Sequence, residues 1–306
     1  MRRLALALVA PATLLALTGC PTPYEIRNGD LDSGLVSDAS IKADLVSVTV
    51  PAPTAQQKAT PVVIAVHGFT ATPFEMQDAA TYLRGQGLLV SKVLLGGHGT
   101  SLSKFEQATW KDWQAPILDE YKALKAKGYQ KITFLTVSTG GTLVLEALSR
   151  DAFSPQPPRI VMLSPIAEFK DKRAGYLVPL SWLGVSAAQK VSGTGLGHWY
   201  RNRPVSTIAS LIDLTEIVKD RLRKRIVLAS STDVLILQPK GDQTVDPVSA
   251  PLIDEGLKGG VHKVEMIESD LHVPIRPDGV DDHTYTPAEL ATKQMLLEKI
   301  LQHLTS

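Results

Sequence analysis

Short β-branched runs alternate along this chain with amphipathic stretches of helical spacing. Residues 45–50 alternate apolar and polar, as a half-buried early strand does. Residues 61–66 are continuously apolar, which predicts a strand buried on both faces. Further strands are expected over 88–95, 131–137, 159–163, 234–238 and 261–267. Helical periodicity fills the gaps. Trp110, Trp113, Ile117, Tyr121 and Leu124 fall on one face, and Gly128 ends that helix. A helix over 142–149 follows the strand at 131–137. The last helix opens at Thr286-Pro287-Ala288-Glu289, a capping box with proline at the first helical position, and Leu290, Leu297, Leu301 and Leu304 are expected as its buried stripe. This βαβα order predicts an α/β fold with a mainly parallel sheet covered on both faces.

One region breaks the rhythm. Residues 166–225 hold no convincing buried strand, and an insertion of that size reads as a cap over a site. Its apolar members Leu177, Val178, Leu180, Trp182 and Leu183 suit an acyl chain, and equally suit packing of the cap on the main domain. The Gly193-Thr194-Gly195-Leu196-Gly197 patch is not a dinucleotide fingerprint, because its third glycine comes one residue early and no strand precedes it. Arg221-Leu222-Arg223-Lys224-Arg225 reads as a solvated helix face.

A net charge of +1 favours neither nucleic acid nor an acidic partner. The single cysteine changes the picture more. Met1-Arg2-Arg3, an apolar run over 4–17 and Leu17-Thr18-Gly19-Cys20 have the form of a secretory signal, too short for an ordinary transmembrane helix. The ending resembles a bacterial lipobox. A lipidated Cys20 would become the first residue of a protein anchored in the bacterial cell envelope, with 21–40 as a tether and 41–306 as the domain; a plain signal peptide is the alternative. The mature chain would then hold no disulfide and no free thiol.

Candidate chemistry centres on Leu135-Thr136-Val137-Ser138-Thr139-Gly140-Gly141, between a strand and a helix. A serine among small residues there has the layout of a nucleophile elbow, a turn too tight for bulky neighbours. The competing reading makes Ser138 an ordinary helix N-cap. A nucleophilic serine needs a base and an orienting acid, following it in the order acid then histidine. Asp242 lies just past the strand at 234–238, and His272 just past the strand at 261–267. Asp246 is a rival acid, although Pro247 after it suggests a helix start. His262 falls inside a strand, and His283 and His303 lie later. Oxyanion donors would be the amides of Phe69, after the first long buried strand, and of Thr139. His67 reads as a structural histidine. No histidine–carboxylate cluster has metal-ligand spacing, and no cofactor is implied.

His67-Gly68-Phe69-Thr70-Ala71-Thr72-Pro73-Phe74-Glu75-Met76 resembles the HGFTGTP-type oxyanion loop of the α/β-hydrolases in the bacterial carboxylesterase and monoacylglycerol-lipase group. Leu94-Leu95-Gly96-Gly97-His98-Gly99-Thr100-Ser101 resembles that group's LPGHGTS loop, in which His98 is expected to be structural. The likeness runs from about residue 45 to the C-terminus and is weakest in the cap. It implies an α/β-hydrolase fold with a cap and a serine esterase acting on acyl esters through Ser138, Asp242 and His272. Two positions depart from the pattern: Thr136 stands where glycine is usual, and Gly96 where proline is frequent. An amidase or peptidase with the same machinery, and a lipid-anchored binding protein without turnover, are the alternatives.

Overall fold

The computed structural model describes residues 31–33, 53–172 and 186–306. Cys20 and the expected signal, most of the expected tether, the strand expected at 45–50 and the apolar residues Leu177 to Leu183 of the expected cap lie outside the described residues.

Six strands form the central sheet: β1 (Val62–Val66), β2 (Leu89–Val93), β3 (Ile132–Val137), β4 (Arg159–Leu163), β5 (Asp233–Pro239) and β6 (Val261–Ile267). Their order is β6-β5-β4-β3-β1-β2, and every neighbouring pair is parallel. Parallel neighbours need crossovers, and helices supply them: α1 (Gln77–Gly85), α2 (Trp110–Ala126), α3 (Thr139–Leu148), α4 (Val205–Arg223), α5 (Ser249–Gly256) and α6 (Pro287–Thr305).

The period of two along each strand divides the core. Ile64, Phe134, Met162 and Ile236 face one layer with α2, α3, α4 and α5. Val63, Leu135, Val161 and Leu235 face the other with α1 and α6. Both faces are covered, so β1 is buried at every position, as its unbroken apolar run predicts.

The expected face of α2 is buried throughout, from Trp110 to Leu124. Pro116 lies inside this helix and has no N–H for the Asp112 carbonyl one turn back. The loop after β2 runs against that carbonyl so closely that a Cβ at Gly96 would lie 2.1 Å from it. The departure at Gly96 thus has a steric cause.

Two expectations need correction. Leu290 is 50% exposed, and α6 instead buries Lys293, Leu296, Leu297, Ile300, His303 and Leu304. The face turns because the Lys293 ammonium reaches inward, to the Asp78 carboxylate at 2.5 Å and the Arg276 carbonyl at 2.8 Å. The segment 166–225 is not all insertion, since α4 packs Leu211, Leu214, Val218 and Leu222 into the main core. Its basic C-terminal turn is solvated around the buried Leu222 and complements the helix dipole.

Among the described residues of this segment, a short antiparallel hairpin, Ser186–Ala188 against Asn202–Pro204, has the glycine patch between its strands and meets the loop after β1, where the Tyr200 amide donates to the Thr70 carbonyl at 3.0 Å. The Asp32 carboxylate holds this hairpin by accepting the Arg201 and Asn202 amides at 2.6 and 2.9 Å. Among the described residues, no helix is long and apolar enough to cross a membrane.

Candidate active site

The loops that follow β1, β3, β5 and β6 all leave the C-terminal edge of the parallel sheet, where ligands bind in open α/β folds. Ser138 comes directly after β3 and directly before α3. Its backbone has φ 50° and ψ −124°, a region that disfavours any residue with a Cβ and that persists only where the surroundings enforce it. The enforcement is visible. The Ser138 amide continues the sheet by donating to the Leu163 carbonyl at 2.9 Å, while α3 begins at the next residue. Gly140 lets the first turn of α3 lie on β1, where a Cβ would come 2.8 Å from the Val66 carbonyl oxygen.

Thr136 fits this turn without strain on its hydroxyl, which donates to the Val161 carbonyl at 3.3 Å. A Cβ at Gly141 would lie 3.0 Å from Pro165 Cβ and 3.2 Å from Thr136 Oγ1, so the glycine makes room for both.

Asp242 is fully buried. Its Oδ1 accepts the Thr244 and Val245 amides at 2.8 and 3.0 Å, and its Oδ2 faces His272 Nδ1 at 2.7 Å. Burial pushes its pKa up, but the His272 hydrogen bond and charge and the two amides outweigh this and hold it below the ordinary value. Asp246 makes no such contact; its carboxylate accepts the Val248 amide at 3.2 Å, in the turn before α5. His272 keeps 22% of its side chain exposed, whereas Asp242 has none.

Ser164 links the histidine to the elbow. It follows Leu163, the acceptor of the Ser138 amide, and its hydroxyl donates to the His272 carbonyl at 2.6 Å. The elbow and the histidine thus share one rim. Ser138 Oγ and His272 Nε2 are not hydrogen-bonded to each other.

Phe69 lies in the loop after β1, its ring against Phe105 and Trp113 at 5.7 and 5.5 Å. Neither its amide nor that of Thr139 donates a hydrogen bond to any described residue. His67 braces the loop. Its Nδ1–H donates to the Gly68 carbonyl at 2.8 Å, and its Nε2 accepts the Leu95 amide at 3.1 Å. That pattern requires a neutral ring, and burial lowers the pKa to about 4 despite the Gly68 carbonyl. His98 is buried in the same aromatic group, its pKa pushed well down by burial and by His67. His262 and His303 serve elsewhere: His262 pairs with Asp254, and His303 donates to the Asp233 carbonyl at the opposite end of the sheet. Among the described residues, no group of three potential ligands could hold a metal.

Sequence reasoning assigned no role to Ser164 or Glu75. Glu75 offered a signal, a lone carboxylate among the apolar Pro73, Phe74 and Met76.

No protein-family model matches the chain. A thermostable monoacylglycerol lipase of Bacillus sp. (strain H-257) is 28% identical over 222 residues, covering 69% of this chain and 82% of the lipase. A carboxylesterase of Bacillus subtilis (strain 168) is 22% identical over 232 residues, covering 74% of this chain and 90% of that protein. The solved structure of a metagenome-derived lipolytic enzyme superposes with a TM-score of 0.64 at 22% identity, over 80% of this chain and 95% of its own. The chain has the fold of an α/β-hydrolase. Ser138, Asp242 and His272 occur along the sequence in the order in which α/β-hydrolases carry nucleophile, acid and base. The departure from the usual elbow, Thr136, is absorbed by Gly141.

Proposed function

We propose that this α/β-hydrolase is a serine carboxylic-ester hydrolase acting on acyl esters, with Ser138 as nucleophile, His272 as base and Asp242 as its orienting acid. The observation that carries the reading is the buried Asp242 carboxylate 2.7 Å from His272 Nδ1, on the same rim as a serine held at positive φ. With Nδ1 committed to Asp242, the ring presents Nε2 to take the Ser138 proton as the hydroxyl attacks the ester carbonyl. Asp242 stabilises the imidazolium that forms. The uncommitted amides of Phe69 and Thr139 suit the developing oxyanion, and each such donor contributes about 3 kcal/mol to the transition state. The imidazolium then protonates the departing alcohol. Water, deprotonated by the same ring, releases the acid and restores the serine. The relatives named monoacylglycerol lipase and carboxylesterase support acyl esters as the substrate class.

The test is covalent. A fluorophosphonate probe labels the native protein and fails on Ser138→Ala, and p-nitrophenyl acyl esters turn over where acyl anilides do not. Labelling that survives Ser138→Ala refutes the nucleophile, and faster cleavage of anilides refutes the substrate class.

We also propose that acyl chains on Cys20 anchor the protein in the bacterial envelope, because Leu17-Thr18-Gly19-Cys20 resembles a lipobox. Radiolabelled palmitate incorporated by the expressed full chain and lost in Cys20→Ala supports the anchor, and incorporation unchanged by that substitution refutes it.

A further inference from the structure

A buried carboxyl that the mechanism above does not use lies beside the nucleophile. Glu75 is only 6% exposed, in the short 3-10 turn Pro73–Met76 that follows the oxyanion loop. Its Oε2 accepts the Gly68 amide at 2.6 Å. Gly68 is wedged between this carboxyl and the elbow: a Cβ there would lie 3.3 Å from Glu75 Oε2 and 3.1 Å from Ser138 Cβ. Burying a carboxyl is costly, and a hydrophobic residue of similar size would fill the turn without that cost. A different gain has to offset the expense.

The geometry of one peptide supplies it. The Gly68 carbonyl and the Phe69 N–H belong to the same planar trans unit, so they point in opposite directions. The His67 Nδ1–H holds the Gly68 carbonyl at 2.8 Å, and Glu75 holds the Gly68 amide one bond earlier. Glycine has the freest backbone of any residue, and here it is clamped at both of its polar groups. Fixing them fixes where the Phe69 N–H points.

We infer that Glu75 is a positioning residue for catalysis: by accepting the Gly68 amide it fixes the His67–Gly68 peptide, and together with the His67 hold on the Gly68 carbonyl this sets the Phe69 N–H in the oxyanion site before substrate binds. This rests on the serine-hydrolase reading. The role needs an acceptor and no net charge. Burial raises the Glu75 pKa, while the Gly68 amide and the charges of His272 and Arg276 lower it. A carboxyl oxygen accepts the amide in either protonation state, and a glutamine oxygen can do the same.

The experiment compares Glu75→Met, which fills the space without an acceptor, with Glu75→Gln, which restores one. With a p-nitrophenyl ester, Glu75→Met is expected to lower kcat by about 10- to 100-fold with KM within about threefold, as mispositioning of a preorganised donor does. It is expected to weaken an alkyl boronic acid, which mimics the tetrahedral intermediate, by a similar factor. Glu75→Gln is expected to recover both to within about fivefold of the native protein. A Glu75→Met protein with native kcat and boronate affinity overturns the inference. So does Glu75→Gln that folds, by its denaturation midpoint, yet is as slow as Glu75→Met. The native protein and Ser138→Ala are assayed in the same series. Turnover that survives Ser138→Ala removes the parent reading and this one together, whereas normal native turnover with an indifferent Glu75→Met removes only the role of Glu75.

Discussion

His272 and His262 each present Nδ1 to an aspartate oxygen, at 2.7 and 2.6 Å respectively. By distance the two pairs cannot be told apart. Their settings separate them. Asp242 is fully buried and takes two backbone amides on its other oxygen, so its position is determined before His272 meets it. Asp254 keeps 36% of its side chain exposed on α5, and His262 sits on the edge strand β6. A charge pair in water is screened and gives at most about 1 kcal/mol, whereas one in a drier site acts through a lower dielectric. Only the first pair has a strained serine turn and two uncommitted amides on its rim. A histidine–carboxylate contact is therefore weak evidence of chemistry, and its surroundings carry the information.

The contrast breaks most sharply at the serine. Ser138→Ala is expected to cut kcat/KM for a p-nitrophenyl ester by about 10⁴-fold or more, and a smaller loss than tenfold would place the chemistry elsewhere. Asp242→Asn is expected to cost about 10³- to 10⁴-fold through the wrong tautomer, while Asp254→Asn stays within about twofold. Equal effects in the same assay would erase the distinction between the pairs.

Acid tests the brace beneath the site. His67 has an ordinary pKa of 6.5 and a folded value of about 4, so between these values the unfolded chain binds a proton that the folded chain refuses. Stability is complete above about pH 6.5 and falls as the pH drops through about 4, by on the order of 3 kcal/mol. Asp242, also depressed, adds loss of the same sign as its folded value is passed in stronger acid. A urea midpoint that does not move between pH 7 and pH 4.5 would mean that His67 is not held neutral.

Gly140→Ala sharpens the link between elbow and sheet. Its methyl would lie 2.8 Å from the Val66 carbonyl and 2.9 Å from that of His67, so backbone must shift, at about 1–3 kcal/mol by urea denaturation. The smallest effect is expected at the exposed pair, where Asp254→Asn changes stability by about 0.5 kcal/mol.

Much of this was legible before any coordinates. The strand expected at 159–163 matches Arg159–Leu163, and that at 261–267 matches Val261–Ile267, because unbroken or alternating β-branched runs have one good conformation. Asp242 and His272 were legible because each follows a strand in a parallel sheet, whose C-terminal ends converge. Leu290 misled because the period of a helix identifies a stripe but not which way it turns, and Lys293 ion-paired inward is indistinguishable in sequence from a solvated lysine. The span of the insertion was overestimated because α4 carries charge along its outer face and so reads like a surface helix, although its inner face completes the main core.

By itself the sequence determined the order of strands and helices and the kinds of residue at their ends, since these follow from local periodicity and turn chemistry. Contacts between residues far apart in the chain were decided only by tertiary structure. They include the Asp242–His272 pair, the Ser164 hydroxyl on the His272 carbonyl, and a glutamate carboxyl buried against the Gly68 amide. The reason is that periodicity has no memory beyond a few turns. Burial and the orientation of a peptide plane are set by whatever packs across the sheet.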